Sequence, residues 1–415
     1  MSKSCNRRGM DIRPADPCSP PGVAPATENG PLGWFANMIE NCYEYASAHH
    51  AAGQSIVGIM CEYAPRELIM AAGAIPVCLC GGSADTIPAA EEDLPSTLCP
   101  LIKSTYGYHV QKSNPFLEMA DLIVAETTCD GKKKMFELMA ESRPTYVLEL
   151  PQRENDRDAL RHWVRELRKF RDKLESRFNV KITRDKLREA IGVMNRERRL
   201  RRDLAALMKV ENPPITGREL LELKSSISGI PADLAQYEAA LKFFRERKPD
   251  PKMSSRVRVL MTGVPIVHGA ERVLDIVEDS GGLVVCMESC TGLKPIVDDV
   301  DESAKDLIQA LAEKYFRLPC SVKTPNQARI DLLRRLAAEY RPECIIEIIW
   351  QACLTYDIES LRIKRWAERE LGIPYLRIQT DYASSDSARI AVRVEALFEM
   401  VRDRARTGAS RGSRP

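Results

Sequence analysis

The sequence predicts an α/β fold with two similar parallel-sheet domains joined by a helical segment. Three observations predict it. Short apolar runs alternate with helix-like stretches over the first part of the chain, and the same alternation returns in the same order after Pro249-Asp250-Pro251. Between the two lies a dense series of charged, amphipathic segments with apolar residues at helical spacing. Regular alternation of strand and helix leaves each strand parallel to the next, because a crossover helix returns the chain to the same edge.

Residues 1–31 are rich in Pro, Gly, Ser and Asn, carry no apolar periodicity and lack the apolar stretch of a secretory signal, so they read as a disordered leader. The first α/β domain is expected over residues 32–152. A helix through about His50 leads to the apolar run Ser55–Met60, which suits a buried strand. PRELIMAAG follows as a helix, with Pro65 at its first turn and Gly73 at its end. Ile75–Cys80, Asp121–Glu126 and Thr145–Leu150 read as further strands, with a helix from Lys132 to about Glu141 before the last. A helical linking subdomain is expected over residues 153–250, with Thr183 and Asp185 at a helix start and Leu187, Ile191 and Met194 at helical spacing. Its charge is expected to form a solvated face, and no chemistry is assigned to it. The second α/β domain, residues 251–403, repeats the series with strands at Arg258–Thr262, Gly282–Cys286, Ile345–Trp350 and Tyr375–Ile378, and helices over about 271–279 and 359–370. Residues 404–415 read as a disordered tail. Each domain is thus of the Rossmann-like (flavodoxin-like) kind.

Across the 415 residues, 61 Lys and Arg meet 59 Asp and Glu, a net charge of +2 that gives no electrostatic reason to expect nucleic acid or a membrane surface as partner. No window approaches the ~18 apolar residues of a membrane span. A cytoplasmic location is expected. In that reducing compartment the 13 cysteines read as metal ligands, reactive thiols or small buried hydrophobes rather than disulfides.

Ligands of open α/β sheets bind beyond the carboxyl ends of the strands, so the cysteines there are the candidates. Cys61 follows the first strand, Cys129 follows the third, and Cys99 lies in the loop between them. In the second half Cys353 and Cys320 occupy places equivalent to Cys129 and Cys99, and Cys290 lies beyond the second strand, where Cys286 is its nearby competitor. Cys78, Cys80, Cys286 and Cys344 fall inside strands and read as core; Cys5, Cys18 and Cys42 lie outside both cores. Any one of these cysteines alone is more often a buried hydrophobe than a ligand. Six on the same edge of both domains argue for a shared role. Soft thiolates suit zinc or iron-sulfur clusters, but the short CxxC pairs usual at zinc sites are missing. Three thiols per half suit a cubane whose fourth iron is bound by something else. A Cys-His nucleophile is disfavoured, since among five His only His109 falls near these loops. No Walker loop or dinucleotide GxGxxG occurs, so ATP use requires another protein. CDGKKKM offers Gly131 and lysines at a helix start, a place suited to an anion or simply to solvent. Glu62, Lys103 and Glu288 lie near the proposed site, where ordinary surface roles also explain them.

These residues resemble the family of 2-hydroxyacyl-CoA dehydratase and benzoyl-CoA reductase subunits. The matching stretches are CEYAPRELIMAAGAIPV from Cys61, CPLIKSTYG from Cys99, TTCDGKKKM around Cys129, PPITGREL from Pro213, LPCSVKTPN around Cys320, and the segment from Cys353 through QTDYASSD. Among the branches, the thiols most resemble those of the double-cubane cluster proteins. That resemblance implies an 8Fe-9S cluster held by Cys61, Cys99, Cys129, Cys290, Cys320 and Cys353. It also implies a homodimer, a small-molecule substrate and electrons from an ATP-hydrolysing iron-sulfur activator protein. The dehydratase branch implies instead a single 4Fe-4S cluster and a 2-hydroxyacyl-CoA substrate.

Overall fold

The computed structural model describes residues 30–406. Most of the expected leader and tail lies outside the described residues, as do Cys5 and Cys18. At the edges, a helix already begins at Gly30, and the last helix, Ser387–Arg406, runs into the expected tail. Ile390, Val394, Leu397, Phe398 and Val401 supply the buried stripe that carries it.

The architecture is α/β with two four-stranded, all-parallel sheets of the same strand order. The first contains β1 (Ile56–Ile59), β2 (Ile75–Cys78), β3 (Leu122–Glu126) and β4 (Thr145–Leu148), ordered β2-β1-β3-β4. The second contains β5 (Val257–Gly263), β6 (Gly282–Glu288), β7 (Cys344–Trp350) and β8 (Tyr375–Thr380), ordered β6-β5-β7-β8. β1, β3, β5, β6 and β7 are buried almost throughout, as continuous apolar runs in parallel sheets must be when helices cover both faces. In each sheet the chain reverses its direction of winding between the first strand and the third. Crossovers therefore diverge there and leave a crevice beyond the carboxyl ends.

Helices weld the halves together. Arg157–Phe178 buries Trp163, Val164, Leu167, Phe170 and Leu174 in one core with Val57, Ile59, Leu122 and Val124 of the first sheet. That core also takes in Leu307, Leu311, Tyr315 and Phe316 from the helix Leu307–Phe316, which precedes β7. Thr183 caps the helix Arg184–Ala206 by accepting from the Lys186 N–H at 3.3 Å. A second core joins Ile56, Val77 and Ile123 to Val259, Ile346 and Ile348 of the other sheet. The crevices thus face one another across shared packing.

Two elements depart locally from the pattern expected of the sequence. The helix expected from about residue 359 begins at Leu354, immediately after Cys353. β2 ends at Cys78, so Cys80 stands in the loop beyond it rather than inside a strand. No described helix is long and apolar enough to cross a membrane.

Candidate functional site

The two crevices merge into one cavity of about 1060 Å³. Its walls are the segments that leave β1, β2, β3, β5, β6 and β7, and Cys61, Cys99, Cys129, Cys290, Cys320 and Cys353 all line it. Cys61 and Cys290 stand two residues beyond β1 and β6, whereas Cys129 and Cys353 stand three beyond β3 and β7. Cys99, Cys129 and Cys353 are the N-cap residues of the helices Pro100–Gln111, Asp130–Ala140 and Leu354–Trp366. The positive ends of three helix dipoles therefore lie at three sulfurs. Cys320 sits in a turn whose carbonyl accepts from Lys323 N–H at 2.9 Å and Asn326 Nδ2 at 3.0 Å. Cys286 is 1% exposed inside β6 and does not line the cavity, so of the two competitors Cys290 faces it.

No thiol follows β5, because Val264 and Pro265 hold the places that Met60 and Cys61 hold after β1. Gly263 has φ +110°, and a Cβ there would stand 2.1 Å from the Ile348 carbonyl oxygen. At Gly263 the chain turns too tightly against β7 for any side chain, and Val264 and Pro265 line the cavity.

The thiols feel one another across the cavity. Burial raises Cys61 well above the usual thiol range, with Cys290 and Cys320 adding to the rise and Lys132 opposing it. Cys290 is pushed up to about 12, chiefly by burial. Cys99 and Cys353 act on each other, which lowers Cys99 and raises Cys353, so they titrate as a pair. Buried cations balance this concentration of sulfur. Lys132 donates to the Met60 carbonyl at 3.0 Å; burial disfavours its charge, but Cys61, Cys80, Cys129 and Glu126 outweigh burial and raise it. Lys294 lies 3.0 Å from Glu288 and donates to the Tyr356 hydroxyl at 2.9 Å, with Cys290 and Cys320 also favouring its charge. Lys323 is lowered to about 8 by burial, against the pull of Cys320.

Among the described residues no three His, Cys, Asp or Glu side chains close around a single ion. A cubane makes a different demand, since its thiolates are shared out among several irons. The donor set is all soft sulfur, spread around a cavity lined by Lys132, Arg198, Arg201 and Lys224 as well as by Glu62 and Glu197, and the sulfurs and cations suit an anionic iron-sulfur group.

Several participants escape the sequence reading. Cys78 and Cys80, expected in the core, both line the cavity, because β2 is only four residues long. The Arg66 guanidinium donates to Cys78 Sγ at 3.4 Å, and Cys80 donates to the Met60 carbonyl at 3.2 Å. Glu126 ends β3 with both carboxylate oxygens buried and without hydrogen-bond partners, and burial raises it to about 8. Acidic residues in otherwise apolar strands, LIVAE, VVCME and CIIEIIW, are the available signal. Glu62 lines the cavity and pairs with Arg66 at 2.9 Å. Lys103 turns away to Glu91 at 2.6 Å and the Ser96 carbonyl at 2.8 Å. His109 accepts from Arg143 Nε at 3.0 Å and is not part of the cavity wall.

The chain matches the family described as "2-hydroxyglutaryl-CoA dehydratase, D-component" over residues 61–401. It is 39% identical to "Putative dehydratase subunit YjiM" of Escherichia coli (strain K12) over 84% of this chain and 92% of that protein. It is 24% identical to the "(R)-phenyllactyl-CoA dehydratase beta subunit" of Clostridium sporogenes over 88% of this chain and 97% of that one. It is 25% identical to a benzoyl-CoA reductase subunit of Thauera aromatica over 83% and 89% respectively. With a match of that length and a relative of that identity, the chain belongs to the 2-hydroxyglutaryl-CoA dehydratase D-component family.

Proposed function

We propose that Cys61, Cys99, Cys129, Cys290, Cys320 and Cys353 hold a double-cubane 8Fe-9S cluster, and that the chain is the reductase component of a two-protein system. An ATP-hydrolysing iron-sulfur activator supplies its electrons, and a small molecule in the cavity receives them. One observation carries the reading: six thiols from both halves line a single cavity. When bound, the group supplies low-potential one-electron transfer. The chain binds it through the six sulfurs and aims three helix N-termini at them. Lys132, Lys294 and Lys323 offset its charge, and Leu98, Ile102, Val322 and Trp350 line the wall that keeps water from it. The working unit is a cytoplasmic homodimer.

Iron and acid-labile sulfide on anaerobically purified chain test this. About eight irons per chain are expected, and Cys129→Ala and Cys320→Ala each lower the count. Unchanged counts in both variants remove the six-thiol assignment. The names of the dehydratase relatives favour a second reading, a dehydratase subunit acting on a 2-hydroxyacyl-CoA with one 4Fe-4S cluster. About four irons per chain select it.

A further inference from the structure

We propose that the part of the cavity wall built by Arg201, Lys224, Ser226 and Ser228 binds an oxyanion, the carboxylate or phosphate group of the molecule the cavity receives. This deepens the reading above and rests on its premise that a small substrate enters the cavity. All four residues line it.

Their setting is rigid. The segment after Lys224 runs along the edge of β2: the Ser226 carbonyl accepts from Cys78 N–H at 2.8 Å, and Ile227 forms an antiparallel bridge with Val77. Gly229 N–H donates to Glu197 at 2.9 Å, tying the same segment to the helix that carries Arg201. The donors are therefore held beside the thiol-lined part of the cavity before any ligand arrives.

They are also short of partners. The Lys224 side chain is 13% exposed, yet its ammonium reaches only the Ile266 carbonyl at 3.4 Å and Glu271 at 3.6 Å. Glu271 is itself shared with Arg218 at 3.8 Å and His268 at 3.9 Å. For Arg201 the nearest carboxylate is Glu197, at 3.6 Å. Ser226 Oγ is buried without any hydrogen-bond partner, whereas Ser225 uses its hydroxyl on the Ile227 carbonyl at 2.8 Å. An ammonium and a guanidinium removed from bulk water demand acceptors. A carboxylate or phosphate in the cavity would satisfy the fork of Arg201 and the ammonium of Lys224; the Ser226 hydroxyl is shielded from the cavity and takes no part.

Lys224 is not simply a counter-charge for the thiols. Besides burial, which lowers Lys224 to about 8, the groups that bear most on it are Glu271, Arg218 and Arg201, with no cysteine among them. Lys132 serves the sulfurs; Lys224 faces a different occupant.

The test is calorimetric titration of sodium phosphate and of sodium acetate into the full, anaerobically purified chain in chloride buffer. Saturable binding of phosphate alone assigns a phosphate-bearing ligand, and of acetate a carboxylate. Lys224→Gln and Arg201→Gln should each weaken binding about tenfold, and Ser226→Ala, whose hydroxyl is shielded from the cavity, should leave it unchanged. Lys242→Gln, an exposed cation on the helix Pro231–Glu246, leaves it unchanged. Iron and sulfide per chain stay at the wild-type value in all four, so failure of the cluster assignment is read separately. The proposal is overturned if neither anion saturates the wild-type chain, or if Lys224→Gln and Arg201→Gln bind as wild type does. Should either variant unfold, unchanged affinity in the other overturns it.

Discussion

Arg329 is the most consequential single side chain outside the cavity. It is 0% exposed, and its guanidinium meets Glu288 at 3.3 Å, Glu347 and Thr262 at 3.0 and 2.9 Å, and Glu359 at 2.6 Å. In one residue it neutralises Glu288 at the end of β6 and Glu347 within β7. Arg329→Met keeps most of the volume and removes the charge. Glu288 retains Lys294, and Glu359 retains a route to solvent, but Glu347 is left with only the Tyr375 hydroxyl at 2.7 Å. The cost is that of one orphaned buried carboxylate, about 3–4 kcal/mol. Burial already raises Glu347 above the ordinary carboxyl range despite Arg329, and losing the guanidinium raises it further. Between the unfolded and the folded titration points the folded chain then holds a proton that the unfolded chain has released, so stability falls as pH rises. The difference between variant and wild type should be largest near pH 8 and shrink towards pH 6. Urea unfolding followed by Trp350 and Trp366 fluorescence reads it, and adding Glu347→Gln should recover at least half. A difference under about 1 kcal/mol at pH 8, or one that widens on acidification, would refute the reasoning.

The same physics predicts other outcomes. Gly263→Ala forces a Cβ to 2.1 Å from the Ile348 oxygen at φ +110°, so it should cost more than about 3 kcal/mol or prevent soluble expression. Lys132→Met should lower iron per chain, whereas Lys103→Met, whose ammonium is taken by Glu91 and Ser96, should leave iron unchanged and lower the melting temperature. Lys224 has a folded titration point lowered to about 8, so its charge costs stability below that pH, and the cost fades as pH rises towards the unfolded value. Lys224→Met should therefore stabilise the chain at pH 7 by about 1–3 kcal/mol, and the gain should vanish by about pH 10.5 in thermal scans.

The strands are legible because parallel, doubly covered strands must be apolar throughout: Ile56–Ile59 and Cys344–Trp350 announce themselves in composition alone. Helices that follow a ligand-bearing turn are harder. Pro100–Gln111 reads as loop in the sequence because KSTYG lacks apolar periodicity, yet the helix is buried from Pro100 through Gly107 and needs no polar face. The start of Leu354–Trp366 is hidden for the opposite reason, since Leu354, Ile358 and Leu361 are exposed and offer no inward stripe.

The site is legible where chain order and geometry coincide. Repetition of the strand order places Cys129 and Cys353 at matching distances beyond β3 and β7, so equivalent positions in sequence become facing positions in space. Cys78 and Cys80 show where that logic stops. Whether a cysteine at the end of an apolar run belongs to a core or to a cavity depends on the residue at which the strand ends. What lies against the end of β2 is decided by Ser226 and Ile227, nearly 150 residues later, which pair with its edge at Cys78 and Val77. A long-range contact of that kind leaves no local trace in IPVCLC. It also sets the serines and Lys224 beside the thiols, which is why the part of the cavity hardest to foresee from sequence is the part whose donors still lack acceptors.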